Sequence, residues 1–143
     1  MDVEIFTLCD RAVDYNGKLC ILGTFDTLGG PGFPLTHSPS ALVFRIRFAS
    51  IEAGAHQFRI QWVDQDGHAF MPPIDGEASV QMPPNNDSSA VNLVVNVMKL
   101  VVPKPGRYSV DLAVDGRQVH SLPLWAVQGA PAPPRPAPPG AGG

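Results

Sequence analysis

The groups with which this chain could do chemistry are four histidines, two cysteines and a scatter of aspartates. His37, His56, His68 and His120 fall in no H-x-H, H-E-x-x-H or C-x-x-C arrangement, the spacings that bring metal ligands onto one face of a local element. His68 follows a turn holding Asp64 and Asp66, three oxygen or nitrogen donors suited to a loose hard-cation site. A calcium loop counted from Asp64 would want glycine at its sixth position and glutamate at its twelfth, where this chain has Ala69 and Asp75. A solvated Asp-Gly turn is the reading those residues favour, and no metal and no cofactor is expected.

Nucleophilic chemistry has equally little to build on. There is no G-x-S-x-G elbow, and neither Cys9 nor Cys20 has a histidine close by in sequence. Both cysteines sit among Leu8, Leu19 and Ile21, where thiols pack as small hydrophobes, so both are expected to be reduced and buried. If Asn16-Gly17 makes the turn of a hairpin, Cys9 lies opposite Thr24 and Cys20 opposite Val13, beyond the ~7 Å Cα separation that a disulfide tolerates. Asp10, Asp14 and Asp26 could gather at one end of that hairpin as a carboxylate dyad, although strand-end aspartates are common without chemistry. Gly29-Gly30-Pro31-Gly32 lacks the Lys-Ser/Thr and the helix that a phosphate cradle requires.

Arg45, Arg47 and Arg59 are the residues expected to bind a partner. If the chain between Ala49 and Ala55 closes a hairpin, all three project from one outer face, flanked by Gln57 and Gln61. Guanidinium groups so arranged suit bidentate contacts to an acidic protein.

The elements that would position these groups are strands. From Arg107 the chain alternates: Tyr108, Val110, Leu112 and Val114 on one face, Arg107, Ser109, Asp111 and Asp115 on the other. Asp115-Gly116 supplies a two-residue turn, and a change of apolar phase predicts a bulge near His120-Ser121. Pro123 cannot donate to a ladder, which places its strand at an edge or leaves its N–H side unpaired. Val3 to Val13 and Lys18 to Leu28 read as the first hairpin. Gly29 to Ser40 reads as a long loop, and Ala41 to Ala49 as a strand with Leu42, Phe44, Ile46 and Phe48 inward. His56 to Val63 follows, with Phe58, Ile60 and Trp62 inward. Two short strands, His68 to Met71 and Glu77 to Met82, are expected on either side of Pro72-Pro73, and Val91 to Val102 changes phase at Lys99. No stretch carries helical periodicity. The pattern predicts an all-β fold: a single antiparallel β-sandwich of roughly seven to nine strands, immunoglobulin-like or related in topology.

Residues 1–128 are expected to form this domain and 129–143, rich in proline, alanine and glycine, a disordered tail. Ten Lys and Arg against thirteen Asp and Glu, a net charge of −3, argue against nucleic-acid binding. The N-terminus has the wrong charge for a signal peptide, and no apolar run approaches the ~20 residues of a membrane span, so a cytoplasmic location is expected.

The run IFTLCDRAVDYNGKLCILGTFDTL, the segment FRIQWVDQDGHAF and the closing PGRYSVDLAVDG with its following LPL resemble an uncharacterised bacterial family of small β-sandwich proteins. The resemblance covers Val3 to Val127. It implies a bacterial, cytoplasmic sandwich and transfers no catalytic residue. The functional expectation is a non-enzymatic protein-interaction or assembly module, able to form a homo-oligomer through an edge strand. The competing one is a small-ligand binder or hydrolase using the loop ends 29–40 and 83–89; an exposed aromatic platform for carbohydrate would have only Trp62 and Trp125 to draw on.

Overall fold

A computed structural model describes residues 1–129; the segment 130–143, where the disordered tail is expected, lies outside the described residues. Within them the chain is all-β, with eleven strands and one helical turn at Ser50–Glu52. Asn16 and Gly17 take φ of 52° and 80°, as an Asn-Gly turn requires, and join β1 (Asp2–Tyr15) to β2 (Lys18–Phe25). The expected register holds: Cys9 faces Thr24 and Cys20 faces Val13. A four-stranded sheet follows the order β2-β1-β5-β8, with β5 at Ser40–Ala49 and β8 at Ser88–Val97.

The five-stranded sheet runs β3-β11-β10-β6-β7. Its members are β3 (Thr27–Gly30), β6 (Gly54–Asp64), β7 (Ala69–Val80), β10 (Gly106–Val114) and β11 (Arg117–Gln128). A two-stranded piece pairs β4 (Leu35–His37) with β9 (Leu100–Val102).

Alternation decides the core. Leu42, Phe44, Ile46 and Phe48 of β5 are sealed against Phe58, Ile60 and Trp62 of β6 and against Tyr108, Val110, Leu112 and Val114 of β10. The rings of Phe44 and Phe58 meet across the two sheets at 5.6 Å and 62°. Each such side chain contributes on the order of 1.5–3 kcal/mol by leaving water, so this shared layer dominates the fold's stability. The sheets curl toward one another where β1 meets β11 and β7 meets β8.

Several expectations are corrected. The strands number eleven, and β3 runs parallel to β11, so pairing is not wholly antiparallel. The loop expected at Gly29 to Ser40 carries the end of β3 and all of β4; their partners lie far along the chain, where local composition cannot signal them. Pro72-Pro73 does not stop β7. It is the sheet's edge strand, and a register shift between Ile60 and Trp62 takes up the two prolines. The bulge of the last hairpin falls at Val119, between the pairs Leu112–His120 and Ala113–Gln118, one residue before the expected place.

One feature positions the site. Beyond Cys9, which pairs with Ala41 at the end of β5, β1 continues with β2 as a two-stranded arm. The Asp10–Gly23 pair is missing from the ladder, and Gly23 has φ +70°. From there the arm folds back over the outer face of the four-stranded sheet. Ala12, Leu19 and Ile21 cover Cys9, Ala41, Val43 and Val94, and the Asn92 side-chain amide donates to the Gly17 carbonyl at 3.0 Å. The arm therefore explains why Val43, outward by alternation, is fully buried.

Candidate functional site

The arm leaves a cleft of about 530 Å³ at its root, lined by Arg11, Val13, Cys20 and Leu22 of the arm and by Ser38 and Met98 across from it. Its walls are mainly apolar, and the side chains around it are exposed: Val13 at 55%, Leu22 at 67% and Met98 at 82%. At the rim Asp10 Oδ1 lies 2.8 Å from His37 Nε2, and the His37 ring stands edge-on to Phe25.

An Asp-His pair beside two serines invites comparison with a hydrolytic relay, in which imidazole must accept the nucleophile's proton. The geometry is otherwise. Ser40 donates its hydroxyl to the His37 carbonyl at 3.1 Å and Ser38 donates to the Met98 carbonyl at 2.8 Å, so both hydroxyls are committed to backbone. The aspartates of the expected dyad go separate ways. Asp10 engages His37, Asp14 accepts from its own turn at Gly17 N, and Asp26 accepts from the Thr27 hydroxyl.

Cys9 is buried, and burial, aided by the Asp10 charge, pushes its thiol pKa up. Cys20 is exposed at the cleft, which corrects the expectation of two buried thiols. It occupies the arm's outward row with Val13, its cross-strand partner, whereas Leu19 and Ile21 take the inward row.

The three arginines do not share a face, because β5 and β6 belong to different sheets. Arg45 and Arg47 both grip Glu4, Nε to carboxylate at 2.8 and 2.7 Å. The Arg47 guanidinium first, and Arg45 with it, hold the Glu4 carboxyl below its ordinary range. Arg59, on the other sheet, donates from a single guanidinium nitrogen, Nη1, to both carboxylate oxygens of Asp75 at 3.0 Å.

The structure does gather Asp64, Asp66 and His68, with potential ligand atoms within 4.8 Å of one another. Asp64 Oδ1 is already the acceptor for the backbone N–H groups of Asp66 and His68, both at 2.9 Å, and these bonds lower its pKa. That arrangement stabilises the turn and leaves one carboxylate oxygen of Asp64 outside it.

A residue that local reasoning passed over is His56. Its Nδ1 lies 2.6 Å from Asp115 Oδ2 and its Nε2 2.6 Å from the Glu52 carbonyl, while the ring stacks on Phe48. Both neighbours are acceptors, so the ring satisfies both at once only as an imidazolium, with each nitrogen donating. The Glu52 carbonyl, then Asp115, raise the His56 pKa. Its partners lie on a helical turn and a distant hairpin, and no spacing in the sequence announces them.

Residues 4–127 match a family of unknown function (DUF6941). The chain belongs to that family. No curated protein matches it. The DUF6941 match spans the arm, the cleft and the shared core alike, and among the described residues no helix is long and apolar enough to cross a membrane.

Proposed function

We propose that this chain is a non-enzymatic protein-interaction or assembly module, built on an immunoglobulin-like sandwich, that docks through the outward face of its folded-back arm. The observation that carries the reading is the exposed apolar row of Val13 and Leu22 beside Met98. Contiguous apolar surface of this kind costs solubility unless it meets a partner. The sandwich topology is supported by Tyr108, whose hydroxyl donates to the Lys104 carbonyl at 2.6 Å, a corner device that immunoglobulin-like domains use. Free thiols at Cys9 and Cys20 fit a reducing, cytoplasmic setting, and a bacterial origin is part of the same proposal. Arg45 and Arg47 share the Glu4 carboxylate, with Asp2 and Asp87 also acting on Arg47, and Arg59 is matched by Asp75, so the three would offer an acidic partner little free positive charge.

The test is a screen of the purified protein for bound metal and for ester and phosphoester hydrolysis, with Asp10→Asn as control. Stoichiometric metal, or turnover lost in that variant, would overturn the module reading.

A second reading has its own support. The cleft's volume falls within the range of about 300–1,000 Å³ typical of small-molecule sites, and its lining suits an apolar ligand anchored at Asp10 and His37. Of the expected loop ends, only the Ser38–Ser40 part of 29–40 reaches it. Thermal stabilisation by small apolar acids or amines, lost in Val13→Asp, would favour this binder.

A further inference from the structure

We infer that the chain forms a closed two-fold dimer in which β8 pairs antiparallel with β8 of a second copy. The sheet edges are unequal in a way that singles β8 out. In the five-stranded sheet, β7 carries Pro72-Pro73, Asp75 and Glu77, and β3 is four residues long and ends in Gly29-Gly30. In the four-stranded sheet, β2 opens on Lys18 and is broken at Gly23, where the arm folds back. Proline, charge, brevity and an interrupted ladder are devices by which sheets avoid adding strands.

β8 has none of them. Ser88–Val97 contains neither charge nor proline, and all ten of its residues pair with β5 without a register shift. β7 draws near from the other sheet but makes no ladder with it, so among the described residues one side of β8 is unpaired. Apolar side chains are left half-covered along that side. Leu42, Phe44 and Ile46 of β5 are fully buried, whereas Val95, Leu93 and Val91, which stand opposite them on the same inner face, remain partly exposed. An added strand would complete that burial through cross-strand contacts. An edge that is extended, apolar and unguarded is a template for such a strand.

The sequence of this edge selects a second copy as the occupant. About Val94 the run VNLVVNV has the same polar and apolar order in both directions. Antiparallel pairing of two copies about that residue sets Val91 on Val97, Asn92 on Asn96 and Leu93 on Val95, with Val94 on the axis. No apolar residue then opposes a polar one, and every side chain keeps its own face of the sheet. Asn92 already accepts from Arg45 Nη1 at 2.8 Å and donates to the Gly17 carbonyl at the tip of the arm, while Asn96 is exposed. Pairing brings Asn96 of each copy beside Asn92 and Arg45 of the other. A contact of this kind is isologous and closed, so it stops at two.

The experiment is sedimentation equilibrium across a concentration series for the full chain, Asn96→Lys and Asn96→Asp, with Gln61→Lys as a charge control on the exposed outer face of the other sheet. A lysine at position 96 meets Arg45 of the other copy with like charge, and an aspartate there complements it. The dimer dissociation constant is therefore expected to rise in the first variant and fall in the second, each by roughly three- to tenfold, and to stay unchanged in the Gln61 variant. Independently, backbone amides within 91–97 of the wild type that exchange freely in dilute solution should become protected as concentration rises. A wild type that stays monomeric at its highest soluble concentration, assembly that continues past two copies, Asn96 variants that do not shift the constant in opposite directions, or a dimer without added protection in β8 would overturn the inference. Those results would leave the docking reading standing, because that reading concerns the outward row of the arm and falls to turnover or bound metal instead.

Discussion

The carboxylate of Asp10 occupies the space that a side chain on Gly23 would need: a Cβ there would stand 2.7 Å from Asp10 Oδ2. Gly23 also has φ +70°, a conformation that other residues adopt only under strain. The two residues face each other where the arm leaves the sheet. The hinge of the candidate site is thus a missing side chain on one strand and an acid on the other.

Gly23→Ala should therefore unseat the arm. The strain at positive φ costs about 1–2 kcal/mol, and displacement of Asp10 adds to it. Because the arm covers Cys9, the variant should expose that thiol while the main core survives. Chemical denaturation combined with native-state labelling by a thiol reagent checks this; a variant as stable as wild type, with Cys9 still protected, would contradict the hinge.

The wild-type thiols make a companion test. Cys20 is exposed and Cys9 is sealed beneath Ala12 and Ile21, with its pKa raised by burial. The native protein should label once, at Cys20, and twice in denaturant. Cys20→Ser should abolish native labelling. Two fast-reacting thiols in the folded state would mean that the arm does not lie on the sheet.

The first hairpin shows what the residues disclose and what they withhold. Asn16-Gly17 announces a turn, and counting outward from it places Cys9 against Thr24 correctly. Whether that hairpin lies flat or folds back depends on Asp10 meeting Gly23, and period-two alternation cannot reveal that relationship. The same limit separated Arg59 from Arg45. Their strands adjoin in sequence and alternate in phase, yet the helical turn Ser50–Glu52 carries the chain from one sheet to the other. Strand faces are local properties and can be read locally. Sheet membership, the parallel β3–β11 pair and the His56 cluster arise from partners far along the chain.

His56 predicts a pH dependence with a definite sign. Its folded pKa lies above the ordinary 6.5, raised by the Glu52 carbonyl and the Asp115 carboxylate. A group raised on folding contributes stability that is fully present below its unfolded value and is lost as pH climbs through the folded one. His56→Phe keeps a ring over Phe48 without the charge. The stability difference between wild type and this variant should hence be largest near about pH 5.5 and shrink by about pH 8.5. Asp115, lowered by the Gln57 N–H and by His56, titrates below this window. Denaturation curves at both pH values decide it; a difference that grows with pH would show that His56 is neutral in the fold.

The shared core can be tested at Trp62, which lies fully buried between the sheets with its indole N–H lacking a hydrogen-bond partner among the described residues. A buried donor left unpaired costs on the order of 1–3 kcal/mol, a penalty already built into the native fold. Trp62→Phe removes that donor as well as some volume, and the two effects oppose one another. Trp62→Ala removes the same donor and far more volume, at a cost of about 3–5 kcal/mol. The phenylalanine variant should accordingly lose no more than about 1–2 kcal/mol. The edge contact with Phe70 is retained by a second phenyl ring. Equal losses for the two variants in equilibrium unfolding would mean that a phenyl ring recovers nothing over a methyl group at this position, and that the packing between β6 and its neighbours is more open than a sealed two-sheet core allows.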